Sequence, residues 1–376
     1  MTTTLADVCT ITMGQAPSGS SYNERGEGVP LIAGAGDFKG GVLAPTKFTT
    51  EPGKLSKPGD IVLSIRASIG AKVWADGEYC LGRGVAGLRA RPGLDDKYLW
   101  HWLTRSELDL ASKGRGATFL QVNKNDIGAM PIVVPALSEQ RRIAAILDHA
   151  DALRAKRRQV LTHLDALTLS IFKEMFSGIA AEATVGDVAQ IQGGLQVSAK
   201  RVNLPVEVPY LRVANVYRGR LDLSEMKTLK ATTAEVERTT LVTGDLLFVE
   251  GHANPLEVGR VATWTGELDN CVHQNHLIRA RLDATRALPV FASSWLNSNR
   301  GATHFRRAGR TTSGLNTISA STVRTAPLPL PPIELQREFA QRIDVTRSQA
   351  VSVRRALAAD DELFTALQSR AFRGEL

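Results

Sequence analysis

Residues 130–141 read MPIVVPALSEQR, and residues 326–337 read APLPLPPIELQR. Laid over each other without a gap, they put Pro131 on Pro327, Pro135 on Pro331, Gln140 on Gln336 and Arg141 on Arg337. Such a correspondence within one chain marks an internal repeat, and a repeat governs the reading of everything else. Carried forward in the same register, Phe176-Ser-Gly178 falls on Phe372-Arg-Gly374. Carried backward with gaps, LADVCTITMG (5–14) meets VGDVAQIQGG (185–194), and VPL (29–31) meets VPY (208–210). FKG (38–40) meets YRG (217–219), PGDIVL (58–63) meets TGDLLF (243–248), and Trp74 is matched to Trp264. The offset drifts only in the parts before the quoted stretches, so the two copies have diverged there by insertion.

The expected fold is therefore α+β: two pseudo-repeated mixed α/β globular parts, at 1–137 and 179–332, each followed by a long helix, at 138–178 and 333–376. The Gly-Asp turns at 59–60 and 244–245 feed apolar runs that read as buried strands, whereas 98–103 and 290–296 read as short helices. Pro131, Pro135, Pro327, Pro329, Pro331 and Pro332 read as stiff joints that interrupt any regular element. The first joint has Ala136 where the second has Pro332, which makes it the less stiff of the two.

After each joint neither Pro nor Gly occurs until Gly178 and Gly374. Helices of roughly 35–40 residues follow, about 55 Å long at 1.5 Å per residue. Their apolar residues recur in steps of four and three. Ile143, Leu147, Leu161, Leu164 and Ile171 form the seam of the first, with Phe339, Ile343, Leu357, Phe364 and Leu367 at the equivalent positions of the second. A seam of this kind needs a partner helix. The simplest partner is the other copy, packed antiparallel as a coiled coil, with the polar breaks Arg154 and Arg157 facing Asp360; a homodimeric coiled coil is the alternative.

Bulk composition narrows the class without naming a function. Hydrophobic and charged contents of 43% and 22% suit a globular protein, and a net charge of +8 tilts toward a polyanionic partner. Cys9, Cys80 and Cys271 stand far apart, without a CxxC pair, which fits a reducing cytoplasm better than a disulfide or zinc framework. The start of the sequence has neither the basic stretch nor the apolar run of a signal peptide, and no run is long enough to span a membrane.

Two divergent globular regions, each ending in a Pro-rich joint, a Gln-Arg helix start and a long helix closing in Phe-x-Gly, resemble the specificity subunits of type I restriction-modification enzymes. Residues 363–376, Gly14-Gln-Ala-Pro17, Gly59-Asp60, Gly244-Asp245 and Gln274-Asn275-His276 add to the resemblance, which spans essentially the whole chain. It implies two target-recognition domains, each reading one half of a split sequence in double-stranded DNA, and helices that set the gap. It also implies docking of two methyltransferase subunits and of restriction-translocase subunits. No cofactor belongs to this chain itself; S-adenosylmethionine, ATP and Mg are used by those partners, in the cytoplasm and away from membranes.

Base readout needs forked donors and acceptors on loops, and phosphate contact needs simple positive charge. Lys113, Arg115, Thr118, Gln121 and Lys124 occupy a small, basic, Gly-containing segment; Arg306, Arg307, Arg310, Thr311, Thr312 and Asn316 occupy its counterpart. Their duplication makes these the leading DNA-binding candidates over the alternative of a solvated basic turn. Arg66, Arg212, Asn215, Arg218, His252 and Asn254 are secondary candidates; Trp74 and Trp264 read as core.

Cys271, His273 and His276 suggest a metal site, but a strand would turn His276 away from the other two and no second cluster completes four ligands. No metal ligand set and no catalytic residue is expected. Neither a phosphate-binding GxxxxGK[ST] loop nor a cofactor-binding glycine fingerprint with a methyltransferase catalytic segment is present. Two alternatives remain at this point: a coiled-coil scaffold, or a stand-alone metal-dependent nuclease built on Asp60, Asp95 and Lys97.

Overall fold

The computed structural model describes residues 2–116, 119–312 and 314–376. The chain divides into two compact units, Met1–Val160 with Val353–Leu376, and Leu161–Ser352. The architecture is mixed α/β with two long helices, Leu137–Phe176 and Ile333–Ala371, each contributing a part to both units.

In the first unit a four-stranded antiparallel sheet runs in the order Cys9–Met13, Val85–Ala90, Ile61–Ser64, Lys72–Trp74. A second sheet runs Cys80–Leu81, Val29–Ile32, Lys47–Thr49, Tyr22–Asn23, its first pair parallel. Residues of Ile61–Ser64 are buried on both faces, which is why this strand is continuously apolar rather than alternating. Ile61 and Leu63 join Leu88, Tyr98, Leu99, Trp102, Ile143, Leu147 and Phe364 in one core, while Val62 joins Val73, Leu81 and Val85 in another.

The second unit uses the same strand order in its main sheet: Ala189–Gly193, Leu277–Leu282, Leu246–Val249, Val261–Thr263. Beside it lie Lys227–Ala231, Val206–Leu211 and Val272–His273. From the long helices Phe176 packs edge-on against Phe339 (5.3 Å between ring centroids) and against Phe291 of the short helix Pro289–Asn297 (4.7 Å), and Phe172 packs edge-on against Phe339 (5.6 Å).

Both Gly-Asp turns fold alike. Gly59 and Gly244 take φ of +87° and +96°, a region that a side chain would strain. The aspartate that follows is buried in each case. Asp60 accepts from the Lys57 amide (2.8 Å) and from Arg89 (2.6 Å); Asp245 accepts from the Val242 amide (2.9 Å) and from Arg281 (2.7 Å). A buried carboxylate is tolerable because the turn amide and the guanidinium replace its water.

The quoted motif has an equally local explanation. Gln140 is fully buried, donates to the carbonyls of Gly93 (2.8 Å) and Pro135 (2.9 Å), and accepts from the Asp95 amide (2.7 Å). Gln336 repeats the set with Arg286 (3.0 Å), Pro331 (2.9 Å) and the Leu288 amide (2.8 Å). One amide side chain thus stitches the start of a long helix, the proline turn before it and the entry to a short helix. Glutamine has both the donors and the acceptor this requires.

Three features differ from the sequence expectations. The proline joints are not bare: Pro131–Val133 and Pro327–Leu328 pair with Thr2–Thr4 and Ala183–Thr184 in two-stranded ribbons. Such ribbons accept proline because a strand with one neighbour has a free edge for the missing N–H. Trp74 and Trp264 are not equivalent. Trp74 pairs with Ile61 while the Trp264 amide bonds to the Asp245 carbonyl, the bond made in the first unit by Ala75 and Asp60. A slip of one residue changes the face: Trp264 fills a core, whereas Trp74 is half-buried and stacks on Trp100 at 4.9 Å. Lastly, the first long helix starts at Leu137, one residue earlier than expected; the second starts at Ile333 as expected, and both end ahead of Gly178 and Gly374, whose φ values of +85° and +76° turn the chain out of the helix.

Along the helices Ile143, Leu147, Phe339, Ile343 and Phe364 are buried, and Leu161, Leu164, Ile171, Leu357 and Leu367 are half-buried. Within the first unit Arg154 pairs with Asp361 at 2.6 Å, Arg157 pairs with Asp360, and the Arg154 guanidinium lies over the Phe364 ring at 4.2 Å.

Candidate nucleic-acid interface

In the second unit a small ribbon orders Gly251–His252, Leu315–Thr317 and Arg310–Thr312. It leaves the main sheet where Leu246–Val249 ends, and the Ile318 amide ties it back to the Glu250 carbonyl at 2.8 Å. In the first unit the same place after Ile61–Ser64 is held by the bridges Arg66–Gln121 and Arg115–Gln121, with the Val122 amide on the Ile65 carbonyl at 3.1 Å. Val122 therefore corresponds to Ile318, Gln121 to Thr317, and Arg115 to Arg310, each arginine opposite the residue before that anchor. The backbone thus brings Arg115 and Gln121 of the first leading set, and Arg310 and Asn316 of the second, to one topological position.

In the first unit the set is basic and open. Arg115 is 77% exposed and reaches Asp126 only at 3.4 Å, while Gln121 and Lys124 are exposed and Arg66 and Lys113 half-exposed. Beside Arg66, Ala67 adopts a left-handed φ of +54°, and its amide donates to the Leu120 carbonyl at 3.1 Å. Thr118 lies outside the described residues.

In the second unit His252 Nδ1 accepts from the Asn254 amide (3.0 Å), and Asn254 Oδ1 accepts from the Leu256 amide (2.9 Å). Asn316 donates to the Ala253 carbonyl at 3.1 Å, so the three candidates form one self-bonded loop. The backbone of Arg310, Thr311 and Thr312 forms the outer strand opposite Asn316. Arg307 is exposed at the end of the helix Asn299–Ala308 and, with Arg300, Thr303 and His304, lines a basic notch.

Three secondary candidates, and Arg306 of the leading set, have partners within the unit. Asn215 is buried, accepts from the Arg212 amide (3.0 Å) and donates to the Asp222 (2.8 Å) and Glu225 (3.1 Å) carbonyls, closing its own turn. Arg212 is paired with Glu225 at 2.7 Å. Arg218 donates to the Leu256 carbonyl (2.6 Å) and Asn297 (3.3 Å), and Arg306 to Thr303 (2.7 Å) on its own helix. Asn215 is thereby spent on its own turn, while Arg212, Arg218 and Arg306 each give part of their donor set to these neighbours.

The residues that a metal or nuclease centre would need are also structural. Burial pushes the Cys271 thiol up to about 12, and burial together with nearby Arg279 holds His273 down at about 4. His276 instead pairs with Glu250 at 3.0 Å. Asp95 caps the helix Asp96–Arg105 by accepting from the Lys97 and Tyr98 amides, and Lys97 binds Asp148 at 2.6 Å. Among the described residues no group of three or more His, Cys, Asp or Glu side chains is placed to hold a metal, and no helix is long and apolar enough to cross a membrane.

The sequence pattern carries a signal for Gln140 and Gln336 that goes beyond the repeat itself: an uncharged polar residue stands at one register in both copies while its neighbours differ.

Comparison with known proteins gives a coherent result. Residues 1–163 match the family model described as the type I restriction modification DNA specificity domain. The MjaX type I restriction enzyme specificity subunit of Methanocaldococcus jannaschii is 32% identical over 169 residues, spanning 45% of this chain and 40% of that protein. The EcoKI specificity subunit of Escherichia coli is 26% identical over 372 residues, spanning 89% of this chain and 78% of its own length. Among solved structures, the type I S subunit from M. genitalium superposes with a TM-score of 0.57 at 13% identity, covering 99% of this chain and 96% of that one.

Proposed function

Since the chain belongs to the family of type I restriction-modification specificity subunits, which recognise DNA rather than catalyse, we propose that its two units are target-recognition domains for the two halves of a split DNA sequence. The observation that carries this reading is the recurrence of one ribbon position, Arg115 opposite Gln121 in one unit and Arg310 opposite Thr317 in the other. Forked donors at matched positions suit two half-sites read by two copies of one device. In this reading the boundaries are 1–137 and 179–332 for the domains and 138–178 and 333–376 for the spacers. The spacers pair as an antiparallel coiled coil and fix the gap between half-sites.

The long helices also carry exposed apolar residues, Leu153 and Val160 in the first unit and Leu167 and Leu169 in the second. These support docking of two methyltransferase subunits, with restriction-translocase subunits joining them. S-adenosylmethionine, ATP and Mg are then the partners' cofactors, and the complex works on double-stranded DNA in the cytoplasm.

The test is a map of modified adenines from cells that co-express this chain with its methyltransferase subunit. A new motif of two short half-sites around a fixed gap is expected. Arg115→Ala should degrade one half and Arg310→Ala the other. A motif absent from a verified complex, or both halves relaxing equally in either variant, overturns the reading.

A further inference from the structure

The tips of both recognition ribbons carry large apolar residues in water. Phe119 is 69% exposed and Leu315 is 47% exposed. They occupy one structural position: Phe119 stands three residues before the anchor Val122, and Leu315 three before its equivalent Ile318. Each follows a glycine held at positive φ nearby, Gly116 at +142° and Gly314 at +80°. At Gly116 a Cβ would stand 2.2 Å from the Phe119 carbonyl oxygen, so no residue with a side chain fits at position 116.

The base of the first tip is rigid. Arg115 and Gln121 exchange both backbone hydrogen bonds, at 2.9 and 3.0 Å, and Ala67 holds the Leu120 carbonyl. Arg66 and Arg115 are bridged to Gln121 at its base, and Lys113 and Lys124 flank it along the chain. In the second unit the exposed residue sits opposite Thr312 on the ribbon. An apolar tip flanked by positive charge has little complementarity to an apolar protein groove. It matches a polyanion whose interior is apolar, which is the stacked base pairs of a duplex.

We propose that Phe119 and Leu315 are wedges, each inserting between adjacent base pairs of its own half-site and partly unstacking them. This rests on the DNA-reading function proposed above and adds a specificity element to it. A wedge is rewarded at steps that unstack cheaply, so each half-site is selected partly by its deformability and not only by hydrogen bonds to base edges.

The test uses the complex assembled with methyltransferase subunits and a duplex carrying the mapped motif, with 2-aminopurine or pyrrolocytosine walked through each half-site. Wild-type complex should raise the fluorescence at one step in each half. Phe119→Ser should abolish that rise in one half only and weaken binding by about tenfold to hundredfold, the range for losing one base–side-chain stacking contact. Leu315→Ser should do the same in the other half. Phe119→Leu, which copies the second unit, should keep the signal. Unchanged binding and fluorescence in both Ser variants, alongside a normal split motif, overturns the wedge while leaving DNA reading intact. A Phe119→Ser chain that binds DNA normally but no longer assembles with the methyltransferase subunit also overturns it, by making the tip a protein contact. No split motif and no duplex binding by the wild-type complex removes the underlying function instead.

Discussion

The two units solve one packing problem in opposite ways. Where the main sheet meets the second sheet, the first unit places Thr12 and Gly87 of the main sheet by Leu81 of the second, and the second unit places Gln192 and Arg279 by His273 at the same register. In the first, leucine fills the space that glycine leaves, and a Cβ at Gly87 would stand 3.0 Å from Leu81 Cδ1. In the second, Arg279 crosses that space, donating to Gln192 and to the Thr240 carbonyl (3.2 Å), and His273 lies fully buried beside it. Among the described residues neither ring nitrogen of His273 has a hydrogen-bond partner. Three positions have therefore changed as a set. A copy of a fold can exchange an apolar layer for a polar one only if all members move together.

The largest expected effect comes from breaking the set in the apolar unit. Gly87→Arg alone should cost about 3–5 kcal/mol, the scale for a buried charge without partners. Adding Leu81→His and Thr12→Gln should restore part of that loss, measured by denaturant melts of the four variants. An additive triple variant would show that the layers are not coupled.

A second pair of substitutions concerns what the units share. Gln140→Ala and Gln336→Ala each leave two carbonyls and an amide unpaired at a helix start, and each should cost about 2–4 kcal/mol. Similar losses in thermal melts are expected; a large loss at one and none at the other would make the stitch decorative in one unit.

The smallest effect sharpens the comparison through pH. Burial holds His273 at about 4 in the fold against 6.5 for the free side chain. Between those values the unfolded chain takes up a proton that the folded chain refuses, so stability is lost as pH falls through the window, at up to about 1.4 kcal/mol per pH unit. His273→Leu, which copies Leu81, should raise the melting temperature at pH 5 and flatten its dependence between pH 6.5 and 4. An unchanged slope would assign the acid sensitivity to other groups.

Much of the architecture was legible because it rests on periodicity and repetition. The seam residues of both long helices, the glycines that end them and the Gly-Asp turns follow from local rules acting on a few residues. The rest was hidden for specific reasons. Trp74 and Trp264 lie close in a gapped alignment, and only strand register reveals that they face opposite ways. Asn215 and Arg218 look like base-reading side chains, yet their donors are spent on carbonyls that the sequence cannot bring together on paper. Phe119 and Leu315 were legible as apolar letters but not as exposed ones, since exposure depends on where a turn throws the side chain.

The order of synthesis follows from how the units are composed. Residues 161–352 form one unit without interruption, whereas the other draws Phe364, Leu367 and Ala371 from the far end of the chain into a core begun by Leu5. As the ribosome delivers the chain, the second unit has all its parts first, and the unit whose residues emerged earliest must wait with an open core. The usual rule that N-terminal domains finish folding first is inverted here. Until residues 353–376 emerge, the core that holds Ile143 and Leu147 lacks Phe364 and Ala371.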